Sequence, residues 1–290
     1  MKYALFLGCT VPVRAQNYEL AVRKVANILG IELVDIKDFA CCGFPIKSID
    51  TETSLLIGAR NLCIASENNL DICTVCSACT STLTELNYKL ITDTKFRHLV
   101  NTRLSKLGKS YTNEIKVRHF VRVLYEEIGL EGIKEKVSKE LTSLRVGAHY
   151  GCHYLKPSEI YEGFDNPEFP NSIDKLIEVT GANFVDYNEK RLCCGGAILG
   201  VDERISLTMA NRKLASVSAA ECDALISICP FCSVMYEDNQ RKIEATFNVS
   251  YNLPVIYYPQ LLGLALGIDQ KELGFRMNKV GVNELLSKLG

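Results

Sequence analysis

The chain has no excess of basic residues: 33 lysines and arginines face 34 aspartates and glutamates, for a formal net charge of -1 at pH 7. Without a cationic surplus to neutralise phosphates, this balance argues against a nucleic-acid binder, while leaving room for a local basic pocket. A long hydrophobic run is also missing. The most apolar stretch, 253–268, is too short to cross a bilayer comfortably and carries Pro259 and Gln260. The apolar start, 1–13, is interrupted by Lys2, Gly8 and Pro12 and lacks a processing site, so no signal peptide is expected. These absences lead to the expectation of a soluble, cytoplasmic protein with no membrane span. Hydrophobic residues at 47% and charged residues at 23% are ordinary for a globular chain. A length of 290 residues suffices for two domains of usual size, each with its own core.

Cysteine is what the chain has in excess, 13 in all. In a reducing cytosol ordinary thiols stay reduced, and a disulfide-stapled secreted domain is usually shorter. Metal ligation or redox chemistry is therefore the better reading.

The cysteines fall into an internal repeat. The first half opens with the apolar run Tyr3-Ala4-Leu5-Phe6-Leu7-Gly8 ending at Cys9, and the second with Val146-Gly147-Ala148-His149-Tyr150-Gly151 ending at Cys152. A helical pattern follows each: Tyr18, Ala21, Val22, Val25, Ile28 and Leu29 up to Gly30, then Ile173, Leu176, Ile177 and Val179 up to Gly181. Short strands at 32–35 and 183–187 lead to Cys41-Cys42-Gly43 and Cys193-Cys194-Gly195. Further helices are expected over about 53–68 and about 202–220, and apolar runs then reach the pairs Cys76/Cys79 and Cys229/Cys232. Each half closes on a strand and a helix, 117–120 running on to Gly129 and 255–258 running on to Gly267.

Strands alternating with helices predict an α/β fold of two repeated Rossmann-like units with mostly parallel sheets. The expected domains are 1–144 and 145–290, with a charged joining helix at 131–139. A helical insertion at about 80–107 is expected in the first half, and a loop at 161–171 in the second.

Spacing makes the pattern specific. Cys9 and Cys41 are separated by 31 residues and Cys42 and Cys76 by 33; Cys152 and Cys193 are separated by 40 and Cys194 and Cys229 by 34. The surplus between Cys152 and Cys193 is accounted for by the 161–171 loop. In open α/β sheets ligands gather at the carboxyl ends of strands, so one sheet edge could bring each set together. Thiolates select soft metals, with zinc and iron–sulfur clusters leading. A structural zinc ion and an ordinary cubane each take four ligands, whereas each half offers five thiols, which leans towards an atypical cluster. Adjacent cysteines can hold two irons of one cluster more readily than one tetrahedral ion, and the glycine that follows lets amides approach the sulfurs.

Other residues have plainer readings. Cys63 and Cys222 lie outside the repeat and read as buried small hydrophobes. Cys73 has no counterpart in the second half and reads as a non-ligand, since no fourth Cys-Pro of a ferredoxin run follows Cys73, Cys76 and Cys79. His98 and His119 read as surface or packing residues. His153, beside Cys152, is a candidate proton donor, although its counterpart is Thr10.

At Gly8-Cys9, Cys41-Cys42-Gly43, Cys76 to Cys79, Gly151-Cys152, Cys193-Cys194-Gly195-Gly196, Cys229-Pro230-Phe231-Cys232 and Tyr258-Pro259-Gln260-Leu261-Leu262-Gly263, the sequence resembles the CCG-domain (cysteine-rich domain) family. Within that family it resembles the B subunits of methanogen heterodisulfide reductases. The resemblance covers nearly the whole chain. It implies a non-cubane [4Fe–4S] cluster in each half, held by Cys9, Cys41, Cys42, Cys76 and Cys79 and by Cys152, Cys193, Cys194, Cys229 and Cys232. It also implies reduction of the mixed disulfide of coenzyme M and coenzyme B to two thiols. Electrons would come from the ferredoxin-like and the flavin-containing partner chains of the same reductase, with a hydrogenase or formate dehydrogenase beyond. Two clusters facing each other across a pseudo-twofold axis could each supply one electron and capture one sulfur. The substrate's sulfonate, phosphate and carboxylate call for an anion pocket, with Arg14, Lys47, Lys156 and Arg191 as candidate cations.

Two other functions compete. Related iron–sulfur subunits serve succinate dehydrogenase-like and hydroxyacid-oxidising complexes, passing electrons onward, sometimes to quinone. A structural zinc protein, or zinc in one half only, is the rival from another class. A thioredoxin-like role for Cys229-Pro230-Phe231-Cys232 is weaker, because three more cysteines belong to the same set.

Overall fold

Strands buried on both faces by helices carry continuous apolar runs rather than alternation, and Lys2–Phe6 and Ala224–Ser227 read that way. In the computed structural model, which describes residues 1–112 and 114–290, the first unit runs β1 (Lys2–Phe6), α1 (Val11–Arg14), α2 (Gln16–Ile28), β2 (Glu32–Asp35), α3 (Thr51–Glu67), β3 (Asp71–Thr74), α4 (Ser77–Thr92), α5 (Thr94–Leu104), β4 (Val117–His119), α6 (Phe120–Val123) and α7 (Gly129–Lys134). The second runs β5 (Arg145–Ala148), α8 (Ser172–Glu178), β6 (Asn183–Phe184), α9 (Glu203–Ala219), β7 (Ala224–Ser227), α10 (Pro230–Ser233), α11 (Gln240–Phe247), β8 (Val255–Tyr257), α12 (Tyr258–Ala265) and α13 (Asn283–Ser287). Both sheets are all-parallel with the same strand order, β2-β1-β3-β4 and β6-β5-β7-β8. Tyr3 pairs with Asp71 in the first sheet as Val146 pairs with Ala224 in the second.

Local signals repeat as faithfully. The long helices α3 and α9 start at Asp50 and Asp202, whose carboxylates accept the backbone N–H groups of Thr53 and Ile205. Helix α2 turns Tyr18, Ala21, Val22 and Val25 inward, as its spacing predicts.

Four expectations need correction. The units do not have separate cores: one hydrophobic cluster takes in Tyr18, Val22 and Phe120 from the first unit and Ile226, Tyr258 and Leu262 from the second. The reason is that α2 lies on α12, with the Tyr18 and Tyr257 rings stacked at 4.1 Å and the Tyr18 hydroxyl donating to the Ile228 carbonyl at 2.9 Å. The joining helix ends at Lys134 rather than Lys139, because the Ser138 and Lys139 amides are drawn away to the Ala265 carbonyl at the end of α12. The first-half insertion begins at α5, since α4 occupies the place that α10 and α11 hold in the second unit. Strand β6 stops at Phe184; beyond it Tyr187 turns in to donate to the Ala148 carbonyl.

Candidate functional site

The cysteines stand on loops at the carboxyl ends of the strands, where parallel α/β sheets gather ligands. Cys9 follows β1, Cys41 and Cys42 follow β2, and Cys76 closes β3 as the residue before α4, whose first turn carries Cys79. The second unit repeats this with Cys152 after β5, Cys193 and Cys194 after β6, and Cys229 and Cys232 bracketing the start of α10.

The ten thiols come together as one run of neighbours. In the first set each sulfur perturbs the next, in the order Cys9, Cys41, Cys42, Cys79 and Cys76. Cys76 Sγ then lies 3.8 Å from Cys229 Sγ, and the run continues through Cys232, Cys194 and Cys193 to Cys152. Equivalent residues meeting at the midpoint is what a pseudo-twofold relation between the units produces. Cys63, Cys73 and Cys222 are buried elsewhere and take no part.

Three of the ten thiols, Cys42, Cys193 and Cys229, are drawn towards the thiolate, the form that ligates metal, while neighbouring thiols and burial hold the other seven above the usual range. Hydrogen bonds from Cys41 and Cys79 pull Cys42 down to about 4, and those from Cys152 and Cys194 pull Cys193 down to about 2. Cys229 is lowered by Cys232 and Cys76. Backbone amides assist: Gly43 and Gly195 donate to Cys41 Sγ and Cys193 Sγ, and Gly196 to Cys194 Sγ, each at 3.4 Å. The donor set fits a group that takes soft thiolate ligands.

Two cavities open on the second set. One, of about 370 Å³, is lined by Tyr150, Cys152, Lys156, Asn188, Arg191 and Cys193. The other, of about 320 Å³, lies between the units and is lined by Phe44, Lys47, Ser81, Glu85, Cys152, His153 and Lys156. A narrow apolar cleft floored by Cys152, Cys194 and Cys229 adjoins them. His153 Nδ1 is 3.1 Å from Cys152 Sγ, and its ring meets Phe44 edge-on at 4.9 Å. Three candidate cations therefore surround Cys152. Lys47 pairs with Glu85 at 2.8 Å, Lys156 pairs with Glu168 at 2.9 Å, and Arg191 donates to the Glu168 carbonyl. Arg14 lines neither cavity and lies 3.7 Å from Asp238. A larger hollow of about 640 Å³, between α12 and α13, has no cysteine in its wall. His119 is fully buried and His98 exposed, one packing and one surface residue.

Sequence reasoning missed the polar residues buried behind the second set. His149 is fully buried with neither ring nitrogen paired, and the buried Tyr236 hydroxyl also lacks a partner. Lys213 is fully buried and donates to the Glu189 and Lys190 carbonyls. Burial pulls its amine down to about 7 against the upward pull of the nearby Cys232 and Cys194 thiols. Aligning the halves position by position, rather than cysteine by cysteine, would have exposed these residues.

Five cysteines at the same strand ends of each of two all-parallel α/β units mark a duplicated, thiol-ligating redox protein. The chain belongs to the cysteine-rich domain (CCG) family, whose sequence model matches residues 3–84 and 146–237. It is 36% identical over 99% of its length, and 97% of the relative's, to the B subunit of the "Ferredoxin/F(420)H(2)-dependent CoB-CoM heterodisulfide reductase" of Methanosarcina acetivorans. It is 30% identical to "8-methylmenaquinol:fumarate reductase membrane anchor subunit" of Wolinella succinogenes, over 98% of this chain and 99% of that one. Among solved structures, a hypothetical protein from Helicobacter pylori shares the fold with a TM-score of 0.81 at 16% identity, covering 98% of this chain and 52% of that chain. The chain is thus a CCG-type redox subunit. Among the described residues no helix is long and apolar enough to cross a membrane.

Proposed function

We propose that this chain is the iron–sulfur subunit on which the coenzyme M–coenzyme B heterodisulfide is reduced to two thiols. The observation that carries the reading is the pair of five-thiol sets meeting at Cys76 and Cys229, with cation-rimmed cavities over Cys152. Cys9, Cys41, Cys42, Cys76 and Cys79 would hold one non-cubane [4Fe–4S] cluster, and Cys152, Cys193, Cys194, Cys229 and Cys232 the other. Five thiols per set suit a group of several metal atoms better than one ion. The clusters would supply one-electron redox chemistry on each side.

The protein's part is to bind, orient and deliver protons. Lys47, Lys156 and Arg191 receive the sulfonate, phosphate and carboxylate ends of the substrate. Phe44 and the apolar cleft keep water from the disulfide. His153, in contact with Cys152 Sγ, is placed to hand a proton to an emerging thiolate. The balance is one disulfide, two electrons and two protons giving two thiols. Electrons would arrive from ferredoxin-like and flavin-containing partner chains, coupled to a hydrogenase or formate dehydrogenase.

A second reading, electron transfer with a quinone-linked dehydrogenase or reductase complex, is favoured by the similarity to the Wolinella succinogenes protein. One preparation tests both. Anaerobically purified chain should hold about eight irons and eight sulfides with little zinc, and should reduce the heterodisulfide with an artificial one-electron donor. About four irons with one zinc would overturn the two-cluster reading. Eight irons with turnover of a quinone analogue, and none of the heterodisulfide, would favour the second.

A further inference from the structure

The two cysteine sets match, but what lies behind them does not. Phe6 in the first unit stands where His149 stands in the second, in the strand that leads to the first cysteine of each set. Asn61 on α3 corresponds to Lys213 on α9, both following the paired cysteines. Leu83, within α4, holds the same place after Cys76 that Tyr236 holds after Cys229. All six are fully buried.

The contrast is one of charge and hydrogen-bonding capacity. Behind the first set, Phe6 and Leu83 offer hydrocarbon only, and Asn61 is spent on the Cys41 carbonyl and the Ala40 amide. Behind the second set stand a cation and two polar groups with nothing to bond. Lys213 has two carbonyls and the Tyr187 ring, 5.3 Å away, as neighbours. The Glu189 carboxylate, the acid near it, is engaged by Arg212 at 2.7 Å. A buried ammonium without an anionic partner is costly. The groups it meets electrostatically are the sulfurs of Cys232, Cys194 and Cys193, which as cluster ligands would carry thiolate charge. His149 and Tyr236 pack edge-on at 4.9 Å, and both sense the same sulfurs: His149 interacts electrostatically with Lys213, Cys229 and Cys193, and Tyr236 with Cys194, Cys232 and Cys193.

We propose that Lys213, His149 and Tyr236 are positioning residues that make the second cluster the electron-accepting member of the pair, Lys213 as its buried counter-ion and the other two as hydrogen-bond donors to its sulfurs. This rests on the reading that each five-cysteine set holds a cluster. Reduction adds negative charge, and a fixed cation and donors stabilise the reduced state, so they raise the potential. The first cluster, backed by Phe6 and Leu83, has the lower potential. An electron entering at the first set therefore runs downhill through the Cys76–Cys229 contact towards the set on which the cavities open.

The test uses the full-length, iron-loaded chain and an EPR-monitored redox titration. The parent should show two distinct midpoint potentials. Lys213→Asn, which installs the first unit's residue, should lower the higher one by at least tenfold in its one-electron equilibrium constant, about 59 mV. His149→Phe should shift the same signal downward, and Lys213→Arg should restore most of the parent value. The lower potential should stay put in all three. If Lys213→Asn fails to retain iron, His149→Phe carries the decision, since a similar aromatic ring already fills that place in the first unit. A chain with eight irons in which these changes leave the higher potential unmoved, or move the lower one instead, overturns the proposal while leaving two clusters intact. A chain that never holds two clusters refutes the underlying reading instead.

Discussion

The carboxyl group of Glu237 lies buried beneath the 278–280 segment, accepting the Lys279 amide at 2.7 Å. Burial pushes it up to about 7, against the partial relief given by the Lys279 and Asn278 bonds. Such a shift has a definite consequence for stability. The folded chain keeps a proton that the unfolded chain releases above its ordinary carboxyl value near 4.5. Stability from this group is therefore full below that value, falls as the pH rises, and is lost by about pH 7. The loss is at most roughly 3 kcal/mol. Glu237→Gln keeps an acceptor for Lys279 and removes the titration, so this variant should melt several degrees above the parent at pH 8 and match it near pH 4.5. Thermal melts of the iron-loaded chain across that range check this; equal melting at pH 8 would show the carboxylate to be solvated after all.

At the scale of elements, the turns that present the paired cysteines depend on one backbone angle. Gly43 has φ +95° and Gly195 has φ +81°, in the left-handed region that side chains resist. Each is also pressed against the helix that follows. A Cβ on Gly43 would stand 2.5 Å from the Ser54 carbonyl oxygen, and one on Gly195 would stand 2.9 Å from that of Ser206. The Ser54 and Ser206 hydroxyls close the same turns by donating to the Gly43 and Gly195 carbonyls at 2.9 Å. Gly43→Ala should cost roughly 2–4 kcal/mol, combining conformational strain and overpacking. It should also displace Cys42 and lower the iron retained. Gly108→Ala is the control: its φ of +64° is also left-handed, yet nothing lies within 4 Å of its added carbon. It should cost about 1 kcal/mol and keep all iron. Denaturant melts and iron assays of the two variants separate backbone strain from steric collision.

At the scale of the whole molecule, the repeat folds as one object. The stacked Tyr18 and Tyr257 rings, and the bonds that Tyr18 and His119 make to the Ile228 carbonyl, tie the first unit to the backbone just before Cys229. The shared core then makes each half the lid of the other. Residues 1–144 and 145–290 expressed separately should each expose apolar surface, bind a hydrophobic dye and hold little iron, whereas co-expression should recover a folded, iron-loaded pair. A half that folds cooperatively alone with four irons would show that the interface is dispensable.

The repeat, the strand–helix alternation, the two five-cysteine sets and their place at strand ends were all legible in the residues alone. Those follow from spacing and local periodicity, which the backbone reads within a few residues, as at Asp50 and Asp202 or in the apolar run of β1. Folding in three dimensions was needed to show that the two sets touch through Cys76 and Cys229. It brought Lys47 and Lys156 from different units to the rim of one cavity and turned Arg14 to Asp238. Those contacts depend on how α2 seats on α12, a match of two surfaces far apart in the chain that no local pattern records. The difference between the halves, at Phe6 and His149 or Asn61 and Lys213, was written in the residues throughout, but it acquired meaning only once burial removed water and left a lysine amine beside the second set's sulfurs.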